Sequence, residues 1–511
     1  MSTTYILAID QGTSLTTTML LAISPVKTMA LLAKNSVSFT QHYPHPDWVE
    51  HDLEEVWASI MQACEATLQE ARRQVGTFSV AGIGITNQRE TLCVYDRKSL
   101  RPLRRAIVWQ CKRSHAICEA LKTEGFGATI QKKTGLLCDP YFTASKLRWV
   151  METEPEIRSQ LEAGTAIVGT MDTFILSRLT GGAVHATEPS NASRTLWMNL
   201  HTGAWDAELL QIFSVPRLDI LPEIRPSAGI FGTTEKVGFL PDGIPIVGIL
   251  GDQQAALAGQ ACFTVGQAKC TYGTGAFLLS NTGHTPIVSQ HGLLTTVAWQ
   301  TGAGVPLTYA LEGASFIAGA AVQFIQEGMG WINEPQDTHS RADHVEAAPG
   351  LYFVPALSGL GAPWWVPQAK GAFLGLTRGT SRNQLIRATL EGICFQICDL
   401  LSAMEQDLGE KMNVLCVDGG AAKNTLLLQI QADLVGIPVE RPQNLDSTAL
   451  GAALFAALGL GVFTSLEEMR AIRALDRTFY PQQNEAFLHL RRQQLDGWKR
   501  AVQASIRFSQ E

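Results

Sequence analysis

Near the start of the chain, Asp10-Gln11-Gly12-Thr13-Ser14 set a carboxylate, a glycine and two hydroxyls between the strand-like runs "YILAI" and "LTTTMLLAI". These are ordinary turn residues. They are also what a phosphate-binding loop requires, because small side chains leave backbone amides free to form a concave nest for phosphate oxygens. A carboxylate beside phosphates then calls for a bridging cation, commonly Mg2+ reached through water. The stretch "AKCTYGTGAFLLS", Ala268 to Ser280, repeats the layout of strand, glycine-threonine turn and strand. Two such hairpins read as two halves of one site. A third place is Asp418-Gly419-Gly420, a strand end before a helix, where a ligand can approach the backbone. The spacing Gly-x-x-x-x-Gly-Lys-Ser/Thr is absent.

Two further places carry reactive groups. Arg89-Glu90 sits between the strands "SVAGIGIT" and "TLCVYD", as a solvated ion pair at a strand turn or as convergent polar groups of a pocket. Asp252 opens "DQQAALAGQA", where a carboxylate can cap a helix or accept a proton as a general base.

The elements that must position these residues follow from pattern. In "HDLEEVWASIMQACEATLQEARRQ" apolar residues recur at three- and four-residue spacing, so a helix is expected, with Asp52 as its cap and Glu55 completing a capping box. Further helices are expected near 112–122, 155–162, 313–327, 382–408 and 484–506, and a short one at "DQQAALAGQA" with Asp252 in the capping position. Both halves begin with strand pairs and end in helices, and no Gly/Pro/Ser-rich linker separates them. This predicts two α/β domains of similar plan, 1–252 and 253–511, hinged near Gly251 to Gln260. A chain of 511 residues exceeds one hydrophobic core.

Composition narrows the function classes. With 46% apolar residues, 17% charged residues and a net charge of −7, the chain fills a core and carries no basic footprint for nucleic acid or a membrane surface. No segment approaches the ~20 apolar residues of a membrane span. Ten cysteines are scattered without a Cys-x-x-Cys pair, and Cys394 and Cys398 share a helix face. Buried thiols in a reducing, cytoplasmic compartment are expected, with no disulfide framework or cysteine metal site.

The joint pattern is more specific than its parts. "AIDQGTS", "GITNQRETLCVYD", "IVWQCKRS", "DPYFTASKLRWV", "PSNASRTLWMNLHT", "GILGDQQAALAGQ", "YGTGAF", "YALEGASF", "GLGAPWW", "RATLEGI" and "VDGGAAKN" occur in this order from residue 5 to beyond 410. The chain resembles the FGGY carbohydrate kinases, and within them those acting on glycerol. The resemblance implies two ribonuclease-H-like domains of the actin/hexokinase superfamily with a ligand cleft between them. It implies ATP and Mg2+ as cofactors, sn-glycerol 3-phosphate as product, and a homodimer or homotetramer. By the same resemblance Arg89, Glu90 and Tyr141 bind glycerol hydroxyls, Trp109 and Phe277 wall the carbon backbone, and Asp252 and Gln253 are the general base and its neighbour. Thr13, Ser14, Leu15, Thr274, Gly319, Gln323, Gly420 and Asn424 fall where the family binds the nucleotide, Gln323 being equally readable as a polar residue on a helix surface. Asp10 and Asp252 would hold Mg2+ through water. A pocket for a triol needs several converging polar groups, each costing ~1–3 kcal/mol if left unsatisfied. A site shared by two domains also implies closure, which excludes the water that would hydrolyse ATP.

The chain departs from the family in places. The first loop usually continues Asp-x-Gly-Thr-Thr-Ser-Ser-Arg, and here a hydroxyl is replaced by Leu15 and the arginine by Thr17. An aspartate after "GLGAPWW" is replaced by Val366. Losing one charged donor to a phosphate removes ~1.5–3 kcal/mol, so lower turnover or weaker nucleotide binding is expected unless another cation compensates. Two rivals follow: a kinase of the same family for a longer polyol such as a tetritol, and a catalytically weak sensor that binds glycerol and nucleotide.

Overall fold

The computed structural model describes residues 3–345 and 348–510. Two mixed sheets repeat one plan. In the first, Met29–Ser38, Leu15–Ile23 and Thr4–Gln11 are antiparallel neighbours, and Val80–Asn87 and Pro245–Gly251 continue in parallel, with Ala228–Thr233 on the edge. In the second, Thr308–Ser315, Ala276–Gly283 and Gln267–Tyr272 are the antiparallel three, followed in parallel by Val414–Asp418 and Val439–Pro442. Leu294–Trp299 and Leu475–Phe479 are its edges. Three antiparallel strands followed by parallel ones is the ribonuclease-H-like order, present twice. The two glycine-threonine turns are the tips of the corresponding hairpins: Asp10 pairs with Thr17, and Tyr272 with Ala276.

Helices form largely where periodicity places them. Leu53–Val75 is capped by Asp52, which accepts from the amides of Glu54 and Glu55 at 2.9 and 3.4 Å. The expected capping box does not close, because the Glu55 carboxylate turns to the Thr40 amide. Arg382–Leu408 does carry one, between Ser381 and Gln384. The long helix expected over 313–327 is absent: the chain stays extended to Ser315, held by the ladder to Ala276–Gly283, and only Gly319–Gln323 and a following π turn are helical. Among the described residues no helix is long and apolar enough to cross a membrane. All ten cysteines are free and nine are buried.

The stretch expected to hold the hinge is itself a helix, Asp252–Gly259, packed against Ser447–Gly459. Glycines set that contact. A Cβ at Gly451 would stand 1.8 Å from the Ala255 carbonyl oxygen, and one at Gly259 2.0 Å from that of Ser447. Ala452 and Ala456 of the second helix meet Gly84 and Gly248 of the first sheet with equal closeness. Gly451→Ala is expected to destabilise the protein by about 1–3 kcal/mol, since the obstructing atoms are backbone and the helices must part. Thermal unfolding and kcat should fall together, because Ala255 lies one turn from Asp252. An unchanged melting midpoint would refute the tight packing.

Candidate active site

Three backbone turns carry the candidate phosphate-side residues. In the first, the Gly12 amide donates to the Leu15 carbonyl at 3.0 Å, leaving Thr13 half-buried and Ser14 and Leu15 exposed at the tip. In the second, the Gly273 amide donates to Gly275 at 2.9 Å and Thr274 is exposed. The start of Gly319–Gln323 docks on this turn: the Ala318 and Ala320 amides donate to the Thr274 carbonyl, and Gly319 donates to Gly273. Only glycine allows it, as a Cβ at 319 would be 2.6 Å from the Gly273 oxygen. The third turn closes on the second through Gly419, whose φ of 86° and approach to the Tyr272 carbonyl exclude a side chain. Thr274, Gly319 and Gly420 are thereby gathered in one region.

The side chains of Asn424 and Gln323 each have partners of their own. The Asn424 side chain caps Thr425–Val435, accepting from Leu426 and Leu427, and its amide donates to Thr338 at 2.9 Å. Gln323 is exposed, ends the short helix that Gly319 begins, and its side chain donates to Glu327 one turn along.

The polyol side is built around a buried ionic cluster. The strand Val80–Asn87 ends just before Arg89 and Glu90, both 2% exposed in their side chains, which rules out a solvated pair. Glu90 holds a left-handed backbone, φ 60°, a strained conformation for a non-glycine residue. Arg89 Nε lies 3.2 Å from Asp252 Oδ1, and its two terminal nitrogens form a bidentate bridge to Glu312 at 2.5 and 3.0 Å. It also donates to Gln254 at 3.1 Å. Arg194 donates to Glu90 at 2.6 Å and to Glu312 at 3.0 Å. Burial would raise the Glu312 carboxyl, but the Arg194 and Arg89 guanidiniums outweigh it and hold it at about 2. For Glu90 burial prevails over the same two cations and pushes the carboxyl up.

Asp252 is the first residue of its helix rather than the expected cap; Gly251 occupies the cap position, fixed by its amide donating to Ser190 Oγ at 2.9 Å. The carboxylate is thus free to face Arg89. Tyr141 stands edge-on to Trp109 with ring centres 5.5 Å apart. Trp109 Nε1 donates to Thr13 Oγ1 at 3.0 Å, tying this wall directly to the first hairpin. Phe277 shares its sheet face with Thr271, its cross-strand partner, and with Lys269. That face points to the helix of Asp252, since Lys269 Nζ donates to Gln253 Oε1 at 2.5 Å.

Asp10 is the last residue but one of the first strand. Burial, then the charges of Asp252 and Asp446, push its carboxyl up to about 8. Two carboxylates that repel across a cleft suit a hydrated Mg2+, which takes few protein oxygens and keeps its waters. Among the described residues no group of three or more His, Cys, Asp or Glu is placed to hold a metal. A hydrated ion held here would complete its shell with phosphate oxygens and water.

Sequence reasoning passed over Glu312, Arg194, Lys269 and Lys146. Lys146 is fully buried and donates to the carbonyls of Pro140, Tyr141 and Phe142, setting the loop that carries Tyr141. A signal existed for two of the four: Glu312 and Lys269 interrupt apolar strands, "TYALEGAS" and "QAKCTY", and a charge inside a central strand needs a buried partner.

The described geometry agrees with comparisons to known proteins. The N-terminal domain model of the FGGY family of carbohydrate kinases matches residues 5–259, and its C-terminal domain model matches 268–460. A glycerol kinase of Bdellovibrio bacteriovorus is 46% identical over 98% of this chain and 99% of its own. One of Myxococcus xanthus is 47% identical over 98% and 99%. The crystal structure of Plasmodium falciparum glycerol kinase with ADP superposes with a TM-score of 0.92 at 34% identity, covering 99% of this chain and 98% of that one. The chain belongs to the FGGY family of carbohydrate kinases.

Proposed function

We propose that the protein transfers the γ-phosphoryl group of ATP to glycerol, giving sn-glycerol 3-phosphate and ADP. The observation that carries this reading is the continuity from pocket to loop: Arg89 joins Asp252 to Glu90, Arg194 joins Glu90 to the face of Tyr141, Tyr141 stands edge-on to Trp109, and Trp109 is bonded to Thr13 of the first hairpin. Near-full-length identity to glycerol kinases supports it. Arg89, Glu90 and Tyr141 take the hydroxyls, and Trp109 and Phe277 face the carbon chain. Asp252 accepts the proton as the hydroxyl oxygen bonds to the γ-phosphorus and the bond to the bridging oxygen of ADP breaks. Thr13, Ser14, Leu15 and Thr274 present backbone and hydroxyl donors to the phosphates, with Gly319, Gln323, Gly420 and Asn424 along the nucleotide. Asp10 and Asp252 would hold Mg2+ through water, and the ion would supply charge that offsets the phosphates. We divide the chain into a polyol domain, 1–252, and a nucleotide domain, 253–511, and place it in the cytoplasm as a homodimer or homotetramer.

The Arg89-bound Asp252 speaks against a pure sensor, and 46–47% identity to glycerol kinases speaks against a longer polyol. The test is ADP release with Mg·ATP and glycerol, erythritol, threitol, xylitol or dihydroxyacetone. Glycerol should give the highest kcat/KM. A tetritol preferred over glycerol, or nucleotide binding without any polyol-stimulated release, would overturn the proposal.

A further inference from the structure

The phosphate turns are ringed by carboxylates rather than cations. The charges of Asp252 and Asp446 both act on Asp10, and Asp418 is buried at the end of its strand with Oδ1 lacking a hydrogen-bond partner among the described residues. A polyphosphate entering here needs positive charge from the protein as well as from a metal. The nearby cations are largely committed. Arg89 spends its donors on Asp252, Glu312 and Gln254. Lys269 is fully buried and bound to Gln253 and Thr271. Thr17, cross-strand from Asp10, is neutral and bonds Ser36 Oγ at 2.8 Å.

The next strand supplies the missing charge. Asp10, Thr17 and Ser36 form one cross-strand row. Residues two apart on a strand share a face, so Lys34 lies on the side of the sheet that Ser36, Thr17 and Asp10 occupy. Its ammonium reaches Asp10 electrostatically and sits 2.6 Å from Asp446 Oδ1. Asp446 precedes the helix Ser447–Gly459 without capping it, so Lys34 is its partner. Both side chains are more than a third exposed, 37% and 38%. Such a pair is worth only ~0.2–1 kcal/mol, and a lysine head on a flexible stem exchanges one oxygen for another readily.

We propose that Lys34 is the protein's cation for the nucleotide phosphates at the first hairpin, moving from Asp446 to a phosphate oxygen when nucleotide binds. The inference rests on the nucleotide reading above. It accounts for how a loop with Leu15 and Thr17 still serves a kinase.

The test is calorimetric titration of Mg·ADP, with glycerol titrated separately, into the parent protein, Lys34→Met, Asp446→Asn and Lys34→Met combined with Thr17→Arg. Lys34→Met should weaken nucleotide binding ~10–100-fold, the weight of one charge-assisted phosphate contact, and leave glycerol binding unchanged. Asp446→Asn should bind nucleotide at least as tightly as the parent, and Thr17→Arg should restore part of the loss. Nucleotide affinity within twofold of the parent in Lys34→Met overturns the proposal. So does an equal loss in Lys34→Met and Asp446→Asn, which would make the pair a strut. A parent that binds glycerol but no nucleotide overturns this inference and the proposed function together.

Discussion

Asp252→Asn is expected to lower kcat by about 10²–10⁴-fold while glycerol and nucleotide still bind, the weight of a positioned general base. The substitution is nearly isosteric. It keeps the start of Asp252–Gly259, which is anchored by the Gly251 amide on Ser190, and it keeps an oxygen that can accept from Arg89 Nε at 3.2 Å. What it removes is the negative charge that takes the hydroxyl proton. Arg89 retains its bidentate bridge to Glu312, so the pocket should stay assembled. The measurement is steady-state kinetics with glycerol and Mg·ATP beside titrations of each ligand. A kcat within tenfold of the parent would assign the base elsewhere. Loss of glycerol binding in proportion to kcat would make Asp252 a binding residue instead.

The parts of this site that sequence exposes are those with local signatures. A turn of Gly, Thr and Asp between alternating strands is readable because backbone geometry demands those residues. The helix Arg382–Leu408 is readable because its apolar period is long and Ser381 and Gln384 close a capping box. The stretch 313–327 misled because "GASFIAGAAVQFIQ" has helical composition, whereas its first residues complete a ladder with Ala276–Gly283. Such pairing is decided by a strand 35 to 39 residues away, outside any local window. Asn424 illustrates a second limit: its side chain caps Thr425–Val435 and holds Thr338, contacts that its position after Gly-Gly does not announce.

The ionic cluster marks the deepest limit, because its members are 89, 90, 194, 252 and 312 in the chain and meet only in the folded molecule. Glu312 belongs to the second sheet, yet both of its oxygens serve arginines of the first half. Two arginines face three carboxylates; both arginines approach Glu90 and Glu312, but only Glu312 accepts hydrogen bonds from both. Glu312→Gln removes that charge while preserving volume, leaving Arg89 and Arg194 buried with too little compensation. Breaking one side of a buried ion pair costs about 3–5 kcal/mol, so denaturant unfolding should show a loss of that order. The loss should also be directional in kinetics. Arg89 would tilt toward Asp252 and Glu90, so KM for glycerol should rise about tenfold or more, the effect of one misplaced charged hydrogen bond, with KM for Mg·ATP nearly unchanged. Glu312→Asp, which keeps the charge on a shorter arm, should recover much of the stability and less of the glycerol affinity. If stability falls and both KM values stay put, Glu312 only braces the two halves. If neither changes, the buried cluster is not what holds Arg89 in place.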